Sequence, residues 1–308
     1  MVYSVTVVAI CCVMCFIPFT SFLFLFLPVP LLVLYLRRGI HLCMIAVIMV
    51  TTLLVPIEGM TLALLTGAYL LLTAVGLGRL YIKQKSGYVR LGFLYLVITL
   101  AMLGLLSVIE QNTGIGITEY LVESTQPSME KVMDLYVQNG LISESDSAGL
   151  LDEMNVMIGQ ILPTVALVIA FFLSWISLIC IDGVLKKNGL KMVALPSLKD
   201  WKMEGTFHQF LLMMAVGLLI FKFLLHNVIP DVYITNLIQL LMILFALYGL
   251  SFGIWYFERK TNTKKWGIRI ALWALVLVIP MALYAFVLIG IFDAQGNLRN
   301  KIKMKEKL

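Results

Sequence analysis

Lys222 and His226 stand four residues apart in the apolar stretch 207–229. Helical spacing puts both on one face. An ionisable side chain at the centre of a membrane helix costs roughly 2.5–3.5 kcal/mol on insertion scales, so its presence asks for a reason. The chemistry open to this pair is electrostatic: an ammonium and an imidazole can meet an anionic group of a ligand. Asp231 closes the stretch, and Asn236 and Gln239 open the next one with amide donors and acceptors. Glu58, in Pro56-Ile-Glu58-Gly59, is expected at the same level, as is Glu110. The candidate ligand-binding set is therefore Lys222, His226, Asn236, Gln239 and Glu58. A structural alternative stands beside it. Lys222 can snorkel along its own stem or pair with Glu58 or Asp231, and a glutamate at an interfacial turn needs no ligand. Asp182, in Cys180-Ile-Asp182-Gly183, is expected to pair with Lys186.

Other chemistry is thin. The three histidines, His41, His208 and His226, are too far apart in the expected topology to form one cluster. No H-E-x-x-H, no phosphate-binding G-x-x-x-x-G-K-[ST] and no G-x-S-x-G occurs. No catalytic residue, metal or cofactor is expected, and energy for transport would come from an ion gradient or a separate subunit. Cys11, Cys12, Cys15, Cys43 and Cys180 all lie in or beside apolar stretches. The C-x-x-C spacing of Cys12 and Cys15 reads as small apolar helix residues, because no redox or metal context surrounds it.

The elements that position these residues follow from composition. Of 308 residues, 61% are hydrophobic and 13% charged, against about 45–50% and about 25% in soluble domains. The excess gathers in nine apolar segments: 2–19, 21–36, 40–56, 61–80, 91–109, 158–182, 207–229, 232–256 and 267–292. Several approach the ~20 residues that cross a bilayer core, and only helices satisfy their own backbone there. The expected fold is an all-α bundle of eight or nine transmembrane spans. The chain opens without a basic lead, so the first segment reads as a retained span, and its abrupt opening suggests a start codon placed late.

Charge sets the expected orientation. Arg37 and Arg38, then Arg79, Lys83, Lys85 and Arg90, then Lys186, Lys187, Lys191, Lys199 and Lys202, then Arg259, Lys260, Lys264 and Lys265 fill every second connection. These face the cytoplasm by the positive-inside rule, beside anionic lipid headgroups, and the N-terminus belongs inside a bacterial inner membrane. The net charge of +6 thus implies lipid as partner rather than nucleic acid. The loop 110–157 holds 9 of the 17 acids with one base, Lys131, and is expected outside. With nine spans the basic tail from Arg299 also falls outside, so either the tail tolerates this or one segment is re-entrant.

The acidic loop carries a pattern. Met129, Val132, Met133 and Tyr136 recur at i, i+3, i+4, i+7, an amphipathic helix over 127–138 ended by Asn139-Gly140. A second helix is expected to start near Ser145 or Ser147 and to run into the sixth segment. Residues 184–206 are expected to lie at headgroup level, anchored by Trp201. Gly249 and Gly253 form a G-x-x-x-G suited to close helix packing. The domain reading is a six-helix membrane bundle over 1–184, a linker over 185–206 and a three-helix membrane segment over 207–308.

Pro28-Val-Pro30-Leu-Leu-Val-Leu-Tyr-Leu-Arg-Arg-Gly39 resembles the opening of the YybS-like bacterial membrane proteins grouped as DUF2232. Gly290-Ile-Phe-Asp293-Ala-Gln-Gly-Asn-Leu-Arg299 is similar to that family's glycine–aspartate–arginine close. The resemblance implies a polytopic inner membrane protein. Its first six spans are broadly similar to substrate-binding S components of energy-coupling-factor transporters, whose early helices dock a coupling subunit, and more distantly to MreD-type cell-shape proteins. The matching first helix here offers Ala9, Cys12 and Cys15 instead of an alanine pattern. The expected function is a transporter-like protein binding a small or lipid-linked solute. The alternative is a membrane scaffold that recruits a partner protein through its basic loops. The two prolines are expected to kink a span, with Arg37-Arg38 locking its end at phosphates.

Overall fold

The computed structural model describes residues 27–190, 192–202, 206–224, 231–261, 265–296 and 298–305. Among these, regular structure is helical and no strand occurs. The chain divides into two compact units, one ending at Leu195 and the other starting at Pro196.

In the first unit, three helices are joined by single glycines: α1 (Pro28–Arg38), α2 (Ile40–Glu58) and α3 (Met60–Leu71). Gly39 (φ 86°, ψ −179°) and Gly59 (φ 83°, ψ 166°) make the joints in almost the same conformation, one essentially confined to glycine. Each glycine N–H also caps the helix before it, donating to Tyr35 O and Val55 O. The chain therefore reverses in one residue, and α1, α2 and α3 close around Leu31, Leu34, Cys43, Val50, Leu54 and Leu70, all buried. Pro28 and Pro30 stand in the first described turn of α1, and residues 21–26, the rest of the span they were expected to kink, lie outside the described residues.

A π-helical turn, Leu72–Leu77, links α3 to α4 (Gly78–Ile82). The wider turn and two glycines admit their neighbours: a Cβ on Gly76 would strike the Phe93 ring, and one on Gly78 the Tyr35 ring. Then come α5 (Gly87–Thr113), α6 (Ile117–Gln138) and α7 (Glu144–Lys187). The amphipathic helix of the acidic loop is present but begins ten residues before Pro127, which the helix contains. Ser143 starts α7 as an N-cap, its Oγ accepting from Asp146 N at 3.2 Å. At 44 residues, α7 is about 66 Å long, twice the ~30 Å bilayer core.

The second unit holds a 3-10 turn, Leu198–Asp200, then α8 (Phe207–Leu224), α9 (Asp231–Lys260), α10 (Lys265–Val278), α11 (Pro280–Gly296) and α12 (Leu298–Lys305). α9 and α11 form its centre. The Phe286 ring lies against Gly253, while Gly290 lies against Phe245 and Gly249. Higher-numbered residues of α11 meet lower-numbered residues of α9, so the two helices run antiparallel. Gly249 thus packs within its own chain, against the Phe286 carbonyl and Gly290.

Six helices among the described residues are long and apolar enough to cross a membrane, or seven if the pair α10–α11 counts as one. The expected eight or nine spans are matched only roughly. The first apolar segment, 2–19, lies outside the described residues. Of the second, the described part is α1, whose 11 residues rise only about 16 Å. The segment 267–292, expected as one crossing, is bent by 115°. Pro280, which has no N–H to donate, stands at the break.

Candidate functional site

Lys222 lies within one turn of the described end of α8, and its Nζ donates to Thr235 Oγ1 of α9 at 3.0 Å. The two helices are thus tied where the sequence placed the candidate site. Asn236 is buried, and its amide Nδ2 turns back on its own helix, donating to Val232 O at 2.7 Å. Gln239 is half-buried one turn further along. His226 lies outside the described residues. Glu58 belongs to the first unit, where its Oε2 accepts from Thr66 Oγ1 at 3.4 Å. Of the candidate set, then, Lys222 meets Thr235, which sequence reasoning missed. A threonine inside an apolar run carries no pattern that marks it.

A second polar centre was also missed. Arg90, expected as a cation of a basic loop, has a side chain only 1% exposed, and its Nη1 lies 2.9 Å from Asp182 Oδ1. The Tyr81 hydroxyl donates to the same oxygen at 2.5 Å, and the guanidinium sits 4.3 Å from the Tyr81 ring centroid. The remaining bonds go to the chain after α7: Arg90 Nη2 donates to Val193 O, and Leu195 N donates to Asp182 Oδ2. Asp182 therefore pairs with Arg90 instead of the expected Lys186. Helical spacing favoured Lys186, yet a partly buried carboxylate gains more from a buried planar guanidinium than from an exposed ammonium.

The second unit repeats the device. Arg299, 2% exposed, pairs through Nε with Asp293 Oδ2 at 2.8 Å. Its Nη1 donates to Lys199 O at 2.7 Å and its Nη2 to Ser251 Oγ at 2.9 Å. Ser251 Oγ in turn donates to Trp201 O at 2.8 Å. Trp201, expected as a headgroup-level anchor, is 6% exposed within its unit, and its Nε1 donates to Pro196 O. Arg37 likewise does more than face phosphates: its Nη2 donates to the Asn188 side chain at 3.0 Å, at the end of α7.

The third feature is a groove of about 340 Å³ between α6 and α7. Leu121, Thr125 and Met129 line it from α6, and Met154, Met157, Ile158, Ile161, Leu162 and Val165 from α7. Thr125 brings the one hydroxyl, and that group is already spent on Leu121 O at 2.8 Å. The wall is thus apolar, with nothing to orient a polar solute. Small-molecule sites usually set a few polar groups in an apolar lining; this groove has the lining alone. Ile158 lies about 42 Å along α7 from Lys186 at 1.5 Å per residue, past the ~30 Å of hydrocarbon that would begin at that lysine. The groove starts beside the exposed apolar surface of Val165 and Ile169 and leads away from it.

A family model described as a predicted membrane protein, DUF2232, matches residues 4–294. The chain belongs to the DUF2232 family. Membership covers both units, including the Pro28-to-Gly39 opening and the Gly290–Asp293 part of the close. In the structure that close is mechanical: Gly290 gives α11 its contact with α9, and Asp293 holds Arg299. No curated protein and no solved structure matches the chain, and the likeness to S components gains no support from them. This DUF2232 member is an integral membrane protein. Among the described residues no group of three metal-ligating side chains comes together.

Proposed function

We propose that this protein binds an amphiphile, in the manner of a transporter's substrate-binding subunit, and that the α6–α7 groove receives the apolar chain. The groove itself carries the reading. It is continuous with exposed apolar surface at Val165 and Ile169, and its wall is one that water wets poorly. A chain lifted from the leaflet covers that wall at no polar cost. At roughly 30 Å³ per water-sized unit, the volume admits about ten methylene-sized groups. The three methionines, Met129, Met154 and Met157, suit a lining that adapts to chains of different shape. Separately, within the second unit, Lys222, hydrogen-bonded to Thr235, is the proposed contact for an anionic group of a ligand. In this reading the basic ends face the cytoplasm of a bacterium and the acidic loop faces out.

The scaffold alternative, recruitment through a tryptophan-bearing linker, is weaker because Trp201 is packed inside its own unit.

A phospholipid with a photoactivatable acyl chain tests the groove in reconstituted membranes. Crosslinks mapped by mass spectrometry should concentrate on 121–129 and 154–165. Ile161→Trp, which fills the groove, should reduce them several-fold without lowering the melting temperature. Crosslinks spread evenly over all lipid-facing helices, unchanged by Ile161→Trp, would remove the proposal.

A further inference from the structure

We infer that residues 192–202 form a strap held by two independent latches, Arg90–Asp182 on one side of the Leu195–Pro196 bond and Arg299–Asp293 on the other. Connecting segments ordinarily satisfy their backbone groups with water. Here the polar groups of this stretch are bonded by side chains of apolar helices. Val193 O and Leu195 N go to Arg90 and Asp182, and Lys199 O and Trp201 O to Arg299 and Ser251.

The arginines favour the docking: Arg90 already has a buried Nε without a partner, and lifting the strap would strand a further donor. A buried guanidinium has five N–H donors and tolerates few of them unpaired. Asp182 occupies Nη1 of Arg90, and Asp293 occupies Nε of Arg299. The strap carbonyls Val193 O and Lys199 O take one further nitrogen from each. Lifting either half of the strap would leave a buried charge short of a partner, so each half stays down while its arginine stays buried.

The latches meet at a proline. The Leu195 N–H points to Asp182, while the Pro196 carbonyl accepts from Trp201 Nε1. Pro196 has no N–H to bind to either side. The hand-over from one latch to the other therefore falls within one peptide unit, and none of these hydrogen bonds spans it. Opening one latch should leave the other shut.

Amide hydrogen exchange of the full chain in lipid nanodiscs tests this. The reporters are the amides of Leu195, bonded to Asp182, and of Asp200 and Trp201, bonded within the 3-10 turn to Ser197 O and Leu198 O. Asp182→Asn should speed exchange at Leu195 by at least about tenfold and leave Asp200 and Trp201 within about twofold. Ser251→Ala and Arg299→Lys should do the reverse. Ser251→Ala keeps both ion pairs, so it gives a readout even where a charge variant fails to fold. Equal acceleration of both halves by any of these variants would overturn independence. No acceleration by Asp182→Asn and Ser251→Ala would overturn the latches themselves.

Discussion

Gly249 of α9 and Gly290 of α11 lie against each other, each also facing the carbonyl of a phenylalanine one turn back on the opposite helix. A Cβ on Gly249 would collide with Phe286 O, and one on Gly290 with Phe245 O. The close backbone approach is typical of small-residue helix contacts in membranes, and Cα–H···O contacts add a modest gain. Gly290→Ala and Gly249→Ala are each expected to destabilise by about 1–3 kcal/mol or more, because backbone rather than a side chain must move. Gly92, whose Cβ would meet open space, is the control: Gly92→Ala should be neutral or slightly stabilising in a thermal unfolding series.

The one-residue joints at Gly39 and Gly59 give a second test. Space is free at both, since nothing lies within 4 Å of an added Cβ. The penalty is therefore purely conformational. Gly59→Ala should cost about 1–3 kcal/mol from backbone strain, with a similar loss for Gly39→Ala. An unchanged melting temperature at both sites would mean that neither joint depends on the glycine conformation.

Asp182 and Arg90 should behave as a unit. Asp182→Leu strands a buried guanidinium and is expected to cost about 3–5 kcal/mol. Arg90→Met combined with Asp182→Leu removes both charges and should recover much of that loss, although the strap groups at Val193 and Leu195 lose their partners. Unfolding midpoints of the two single variants and the double variant check this. A double variant less stable than either single would show that the strap bonds, and not the ion pair, govern the stability of this cluster.

Lys222→Met separates the two readings of the candidate site. The hydrogen bond to Thr235 is a charge-assisted contact in a half-buried place, so its loss should cost about 1.5–3 kcal/mol. If Lys222 meets an anionic group, stabilisation by an anionic amphiphile in a thermal-shift assay should fall in this variant. The crosslinks at the α6–α7 groove should persist. A shift equal to wild type would leave Lys222 a structural residue only.

Much of the architecture was legible in the sequence. Apolar blocks of bilayer length, basic connections and one acidic loop dictated a helical membrane protein, because lipid offers a backbone no other partner. The i, i+3, i+4, i+7 recurrence of Met129, Val132, Met133 and Tyr136 marked α6, and the expected start near Ser145 or Ser147 lies within four residues of the Ser143 N-cap of α7. Those signals are local, written within one or two helical turns. Tertiary structure decided the rest. Arg90 and Asp182 are separated by 92 residues, Arg299 and Ser251 by 48, and no spacing rule joins them. Helical periodicity named Lys186 for Asp182, whereas packing chose Arg90; the G-x-x-x-G of Gly249 and Gly253 was read for close packing, but only the structure supplied its partner helix, through Phe286 and Gly290. The groove likewise needed two helices side by side. What a buried charge or a bare glycine meets depends on which helix lies beside it, and that is fixed by the sum of all contacts rather than by the residues next in line.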